Sequence, residues 1–426
     1  MKEKIKWGCI QPLTGGMYIG AEKAFGHPAS WIISYPGLSK FKMKKDKTIG
    51  SVGNEYNLLE WLKRNEKLPP YFLFNKKPTD GSLDTNVEII KDDEWSTTDM
   101  PDFEGTDIVV SVPVCSGLST ATAGITDENR NARNCNMLFN AKYALSIIKP
   151  KVYVFENAPA LFGNTTNATK VKNLLIDLAN EYGYSLVLYK TDTKFHGIPQ
   201  KRPRTFCLFI KYRGEDRGCP DMNRQHLEHL GVLEYLNQIP NDATQLDEIC
   251  PIGYPNKLLF DWIKTKWPNY REEGPKSILD AFLKYKEYNS ALEYLNGLDD
   301  PKKESAIKVV NRIYDCFEVK HKGIYMINLG WPAKDVFEFP ACMFKSTDGI
   351  MHPTEERLLS VREWLHMMGH PHDFEMLNGK GNMAKIGQNV PVNTAKFIVS
   401  EAIRIVENWD SIERPNPEVY HFDNTK

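Results

Sequence analysis

The run Ile108-Val109-Val110-Ser111-Val112-Pro113-Val114 constrains this chain most. A short apolar, β-branched run bounded by turn-forming residues packs best as a strand buried on both faces, as in a parallel sheet covered by helices. It ends at Cys115, and the chain then enters a small-residue loop, Ser116-Gly117-Leu118-Ser119, reaching about Gly124. In open α/β sheets ligands bind beyond the carboxyl ends of the strands, so Cys115 stands where chemistry is expected. One cysteine by itself says little, because free thiols are commonly buried packing residues.

Two further stretches add to it. Lys151-Val152-Tyr153-Val154-Phe155 repeats the buried-strand pattern and ends in Glu156-Asn157-Ala158-Pro159. His196-Gly197-Ile198-Pro199-Gln200-Lys201-Arg202-Pro203-Arg204 leads into a third strand, Thr205 to Lys211. A nucleophile, a carboxylate and two arginines thus fall at consecutive strand edges. Strand patterns alternate with helix patterns (about 136–148 and 169–182), which favours a doubly wound, mostly parallel α/β sheet.

The segment Val112-Pro113-Val114-Cys115-Ser116-Gly117 resembles the catalytic Pro-Cys loop of the DNA cytosine-5 methyltransferases. Glu156-Asn157-Ala158 is similar to their Glu-Asn-Val motif, and Gln200-Lys201-Arg202-Pro203-Arg204 to their Gln-x-Arg-x-Arg motif. Arg357-Leu358-Leu359-Ser360-Val361-Arg362-Glu363, followed by Gly369-His370-Pro371, resembles Arg-x-Leu-Thr-x-x-Glu…Gly-Phe-Pro. Ile386-Gly387-Gln388-Asn389-Val390-Pro391 resembles the closing Gly-Asn-x-Val-Pro motif. The five occur in the family's order.

The resemblance implies a class I, Rossmann-like methyltransferase domain that binds S-adenosylmethionine and acts on double-stranded DNA. It implies Cys115 as nucleophile, with Glu156, Asn157, Arg202 and Arg204 completing the catalytic set. The cofactor is expected at Gln11, Pro12, Leu13, Thr14, Gly15, Gly16 and Met17, at Pro113, and at Gln388, Asn389 and Val390. The second strand (30–35) ends in no acid, but Asn54-Glu55 resembles the family's Asn-Glu helix start, so Glu55 is the expected ribose acid; Asp92 or Asp93, with Asp99 as rival, is expected at the adenine. Ser116, Gly117, Ser119, Arg130, Arg133, Gln200 and Arg357 are expected on DNA, the two loop arginines as phosphate clamps. The first motif departs from the family's Phe-x-Gly-x-Gly-Gly: Gln11 replaces its phenylalanine and Leu13 its first glycine.

Residues 1–212 read as the cofactor and catalytic domain, 213–337 as a target-recognition region, and 338–426 as a return segment completing the first domain. Within the middle region Trp262, Lys264, Lys266, Trp267, Tyr270 and Arg271 interleave aromatic and basic side chains as a nucleic-acid surface does, although core packing accounts for most of them. A helix is expected from Lys276 to Tyr288, another from Asn393 to Asn408, and a frayed polar tail beyond Ser411.

The 426 residues carry a net charge of −1, so a DNA reader must gather its cations in a cleft rather than spread them. Eight cysteines without metal-ligand spacing argue against a zinc module or a disulfide scaffold. His366, His370 and His372 read as packing or surface residues, not metal ligands. No run approaches the roughly 18 apolar residues of a membrane span, and Met1-Lys2-Glu3-Lys4 enters a strand-like segment directly. The expectation is a cytoplasmic monomer of a bacterial or phage-infected cell. Four alternatives remain open on sequence: a catalytically silent DNA-binding relative, a tRNA cytosine methyltransferase (whose Cys-Phe-Thr signature is not found), an enzyme using a modified S-adenosylmethionine analogue, and a thymidylate-synthase-like enzyme. Restriction partner, phage protection and orphan regulator are equally open.

Overall fold

The computed structural model describes residues 4–34, 42–43, 49–51, 54–74, 89–90, 102–113, 118, 127–243, 252–318, 329–332, 336, 338–339, 350–377 and 383–426. For 42–43, 49–51, 54, 71–74, 89–90, 127–133 and 383–384 it describes the backbone alone. Eleven strands follow one another among these residues: β1 (Trp7–Ile10), β2 (Trp31–Ser34), β3 (Lys42–Met43), β4 (Ile49–Ser51), β5 (Tyr71–Phe74), β6 (Ile89–Ile90), β7 (Ile108–Ser111), β8 (Val152–Asn157), β9 (Tyr184–Asp192), β10 (Pro203–Lys211) and β11 (Val419–Asp423). β3 and β4 pair with each other; the other nine form one sheet in the order β11-β9-β10-β8-β7-β1-β2-β5-β6. β1, β2, β5, β7 and β8 run parallel, as do β9 and β11, whereas β10 is antiparallel to both its neighbours.

Alternation along the strands explains why both faces are covered. Cys9, Ile108, Val110, Val152 and Val154 join one core with side chains of the helices Gly16–Phe25, Asn54–Arg64 and Val392–Glu407. Ile10, Val109, Tyr153 and Phe155 join the opposite core with the helices Asp127–Tyr143 and Thr166–Tyr182. The sheet is therefore doubly wound and mostly parallel, as its unbroken apolar strands predict.

The first and last long helices lie unusually close. A Cβ on Gly16 would sit 1.8 Å from the Val390 carbonyl oxygen, and one on Gly20 only 2.5 Å from Ala395 Cβ. These glycines let the C-terminal segment seat directly on the first β–α connection.

Three sequence expectations change. The tail is not frayed: β11 adds to the sheet edge, and the Asn424 amide donates to Thr191 Oγ1 at 3.0 Å. The helix expected from about 136 begins earlier, at Asp127, where Asp127 and Glu128 suit a helix N-terminus. The expected 276–288 helix breaks into Ile278–Leu283 and Tyr288–Asn296, with Lys286 left-handed at φ 57° between them. Helices Asn256–Lys266 and Lys303–Phe317 complete a four-helix group around Trp262, Phe282, Val310 and Ile313. There Trp262 stacks on Phe282 at 5.6 Å, Lys264 pairs with Glu356 at 2.8 Å, Lys266 pairs with Glu287, and Arg271 donates to the Pro353 carbonyl at 2.6 Å. The interleaved aromatic and basic residues thus bind this group to itself and to the segment before Arg357. Residues before the group lie elsewhere: Cys219 and Asn416 exchange backbone hydrogen bonds at 3.0 and 3.1 Å.

Candidate active site

Strand register aligns the motifs. Ile10 lies beside Ser111, and Ser111 beside Phe155, so the next residues Gln11, Val112 and Glu156 occupy one row at the carboxyl edge. On antiparallel β10, Phe206 faces Glu156 and Thr205 faces Asn157, which delivers Arg202 and Arg204 to that same edge. Val112 and Pro113 are buried and aim the chain at this edge. Cys115, Ser116, Gly117 and Ser119 lie outside the described residues, as do Asp92, Asp93 and Asp99; of Arg130 and Arg133 the backbone alone is described, in the helix that follows the loop.

Glu156 and Arg204 form the chemical centre of the described part. Arg204 Nε donates to Glu156 Oε1 at 2.6 Å, with the carboxylate side chain 4% exposed and the guanidinium 20%. Burial pushes the Glu156 carboxyl above its usual range; Arg204 and Arg202 pull it back only in part. A short ion pair and a raised carboxyl point opposite ways for a simple salt bridge. Both follow from one placement: burial disfavours the charged carboxyl, and the guanidinium beside it holds Oε1.

The other members of the set are turned inward. Asn157 is fully buried; its Nδ2 lies 3.1 Å from Met137 Sδ and its Oδ1 accepts from the Ala158 N–H at 2.8 Å. Arg202 braces the closing motif, donating through Nη2 to the carbonyls of Gly387 at 2.6 Å and Asn389 at 2.9 Å. Arg357, expected on DNA, is held by Glu363 at 2.8 Å and Glu355 at 2.8 Å, and Glu363 also completes a capping box with Ser360. Gln200 is fully buried, and its Oε1 and Nε2 have no partner among the described residues.

The first connection has the form of a cofactor loop. Gln11 and Leu13 both adopt left-handed backbone at φ 53°, and Gly15 follows at φ 97°. Two non-glycine residues there cost about 1–2 kcal/mol each, so the surrounding contacts hold them in place. The Gln11 N–H donates to the Ile33 carbonyl at 2.6 Å, and its Oε1 accepts from Asn140 Nδ2 at 3.1 Å; Asn140 also reaches Ser111 Oγ at 3.3 Å. Gln11 Nε2 is buried without a partner among the described residues. Thr14 Oγ1 donates to the Lys385 carbonyl at 3.2 Å, and the Gly16 N–H donates to Asn389 Oδ1 at 3.0 Å. Pro12, Met17 and Val390 are buried around this loop; Gln388, next to Asn389 in the chain, is exposed. Glu55 is fully buried, with Oε1 accepting from Ser34 Oγ at 2.8 Å, which puts a carboxylate at the end of β2 although that strand has none of its own.

Asn140 and Ser34 carry no sequence signal, since each acts only through a partner brought near by folding. Of the histidine trio, His366 Nε2 bonds the Tyr235 carbonyl at 2.9 Å and His370 Nε2 accepts from Asn389 Nδ2 at 3.2 Å. Among the described residues no group of three or more His, Cys, Asp or Glu is placed to hold a metal, and no helix is long and apolar enough to cross a membrane.

Buried imidazoles give the chain an acid-side weakness. Burial lowers His196 and His366 to about 4 and His370 to about 3. Unfolded histidine titrates near 6.5, so the unfolded chain binds more protons below that value, and stability falls as pH drops from about 6.5 toward 4 for His196 and His366, by about 3 kcal/mol each at the acid limit, and toward 3 for His370, by about 5 kcal/mol. The buried carboxyls of Glu156 and Asp192 are raised and act in the opposite sense. Melting curves between pH 7.5 and 5 are expected to shift down by several degrees, and less in His366→Gln; an unchanged pH dependence in that variant would contradict the assignment.

The family described as C-5 cytosine-specific DNA methylase matches residues 80–404. The Type II methyltransferase M.PspPI of Psychrobacter sp. (strain TA137) is 25% identical over 276 residues, which is 63% of this chain and 58% of that protein. The chain thus spans somewhat under two thirds of that relative's length. Among solved structures, Dnmt2 methyltransferase of S. pombe is 12% identical with a TM-score of 0.47, covering 94% of this chain and 98% of its own. The Entamoeba histolytica methyltransferase EhMeth is 13% identical with a TM-score of 0.46, covering 97% and 100%.

Proposed function

The chain belongs to the C-5 cytosine-specific DNA methylase family, and on that premise we propose that it methylates carbon 5 of a flipped-out cytosine in double-stranded DNA, using S-adenosylmethionine and a covalent bond from Cys115 to carbon 6. The observation that carries the reading is the buried Glu156–Arg204 pair at the edge where β7 runs out toward Cys115.

The donor set suits the cofactor. The loop from Gln11 to Gly16 offers backbone N–H groups at a helix start, Glu55 offers a carboxylate at the end of β2, and Gln11 Nε2 is a buried donor without a described partner. Bound there, S-adenosylmethionine supplies an electrophilic methyl group on a sulfonium.

The chain's own residues prepare the base to receive it. Cytosine carbon 5 is a weak nucleophile in an aromatic, electron-poor ring. The Cys115 thiolate adds to carbon 6, forming the S–C6 bond and moving the ring π-electrons toward carbon 5 and N3. Glu156, whose carboxyl burial pushes above its usual range, donates to N3 in its protonated form as charge gathers there, and Arg204 holds Glu156 while facing O2. After transfer, loss of the carbon-5 proton to a base returns the electrons to the ring, and the thiolate leaves. A stacked cytosine presents neither carbon to the enzyme, so the nucleotide is extruded. Gln200, with both amide atoms buried and unpartnered among the described residues, supports a polar contact made only on substrate binding, because such groups are costly to leave unmade. Residues 213–337 lie mostly between the shared motifs and are proposed to choose the target sequence.

Incubation with methyl-tritiated S-adenosylmethionine and, in parallel, duplex DNA or tRNA tests the substrate class. Label is expected in the duplex; label in tRNA alone would overturn the reading.

A further inference from the structure

His370 stands where the family motif has phenylalanine, and packing does not explain the exchange. The side chain is 3% exposed, its ring 4.7 Å from that of Phe374. A phenylalanine fits such a place, whereas a buried imidazole forfeits hydration unless its nitrogens are bonded. Its Nε2 accepts from Asn389 Nδ2 at 3.2 Å. With Nδ2 so engaged, Asn389 presents Oδ1 to the N–H of Gly16 at 3.0 Å and of Val390 at 3.1 Å. The Nδ1 of His370 is buried with no hydrogen-bond partner among the described residues, so the Asn389 contact is the polar contact that the ring makes there.

We propose that His370 is a positioning residue for the cofactor loop, fixing the rotamer of Asn389 so that its amide oxygen caps Gly16 and holds the 11–16 loop in binding form. The inference rests on the cofactor assignment made above. An amide flipped end for end would turn its NH2 toward the Gly16 and Val390 N–H groups, and two donors would then face each other. A neutral imidazole with a lone pair on Nε2 prevents that flip. Burial, helped by Arg362 and Lys23, holds His370 down at about 3, so the ring is neutral near pH 7, and the Asn389 donor selects the tautomer with the lone pair on Nε2. The contact also couples three distant parts of the chain, since Gly16, His370 and Asn389 meet only through folding. The close approach of Gly16 to the Val390 carbonyl leaves the loop no slack to compensate for a misplaced cap.

The test is calorimetric titration of S-adenosylmethionine into wild type, His370→Phe, His370→Gln and Asn389→Ala, beside cofactor-free melting curves and duplex affinities. His370→Phe is expected to weaken S-adenosylmethionine about 10-fold with duplex Kd within 2-fold. His370→Gln, whose amide oxygen still accepts, is expected to restore most of the binding. Adding His370→Phe to Asn389→Ala is expected to weaken binding little further. Wild-type affinity in His370→Phe, equal losses in the Gln and Phe variants, or loss of duplex affinity in step with cofactor affinity would each overturn the proposal. If His370→Phe does not fold, the Gln and Asn389→Ala titrations decide on the same criteria. A wild type that binds no S-adenosylmethionine would overturn the cofactor assignment itself, and this inference with it.

Discussion

Cys115→Ser is expected to lower methyl transfer on the order of 10³-fold or more, while duplex affinity changes little, because nucleophile removal strikes chemistry rather than binding. A serine hydroxyl is far less ionised than a thiol near neutral pH, and the unionised group does not add to a pyrimidine ring at a useful rate. Cys115 lies outside the described residues, two positions after Pro113. Ser111 pairs with Phe155 and Ile10, and Val112 and Pro113, the described residues before Cys115, are buried at the edge that contains Glu156. Single-turnover kinetics with labelled cofactor measures the effect. Near-wild-type turnover in Cys115→Ser would end the nucleophile assignment.

The second large effect is expected at Arg204. Removing a preorganised donor beside developing charge typically costs about 10²–10³-fold in kcat, and Arg204→Ala also leaves Glu156 without its 2.6 Å partner. Arg204 pulls the Glu156 pKa down against the upward push of burial. Its loss therefore raises that pKa further. A rate that needs protonated Glu156 falls as pH rises through the Glu156 pKa, so in Arg204→Ala the alkaline limb moves to higher pH even as the maximum drops. Arg204→Lys is expected to fall between the two, since an ammonium lacks the planar fork. An alkaline limb that stays put or moves down would mean that Glu156 does not work as an acid here.

Much of this site was legible before folding, and the physical reason differs by element. β1, β7 and β8 announce themselves as apolar β-branched runs because both faces of the sheet are covered, and an edge at their carboxyl ends follows from parallel pairing. β11 was not legible: Val419-Tyr420-His421-Phe422-Asp423 is a short mixed strand whose partner, β9, lies over two hundred residues away. The inward turn of Asn157, the ion pairs of Arg357 and the Asn140 bridge from Gln11 to Ser111 are likewise products of tertiary contact. Gln11 and Leu13 mark another limit. The sequence shows that glycine is missing from the family pattern, and folding shows that at least Gln11 and Leu13 take left-handed backbone regardless. Glu55 reverses the case: a strand without a terminal acid still acquires one, because Ser34 reaches it from β2.

Sequencing after bisulfite conversion, on DNA from cells that lack other cytosine methylation and express this chain, tests the central claim most directly. The account predicts unconverted cytosines within one recurring sequence context, and none when Cys115→Ala is expressed instead. Complete conversion with the wild-type chain, or protected cytosines confined to RNA, would contradict it.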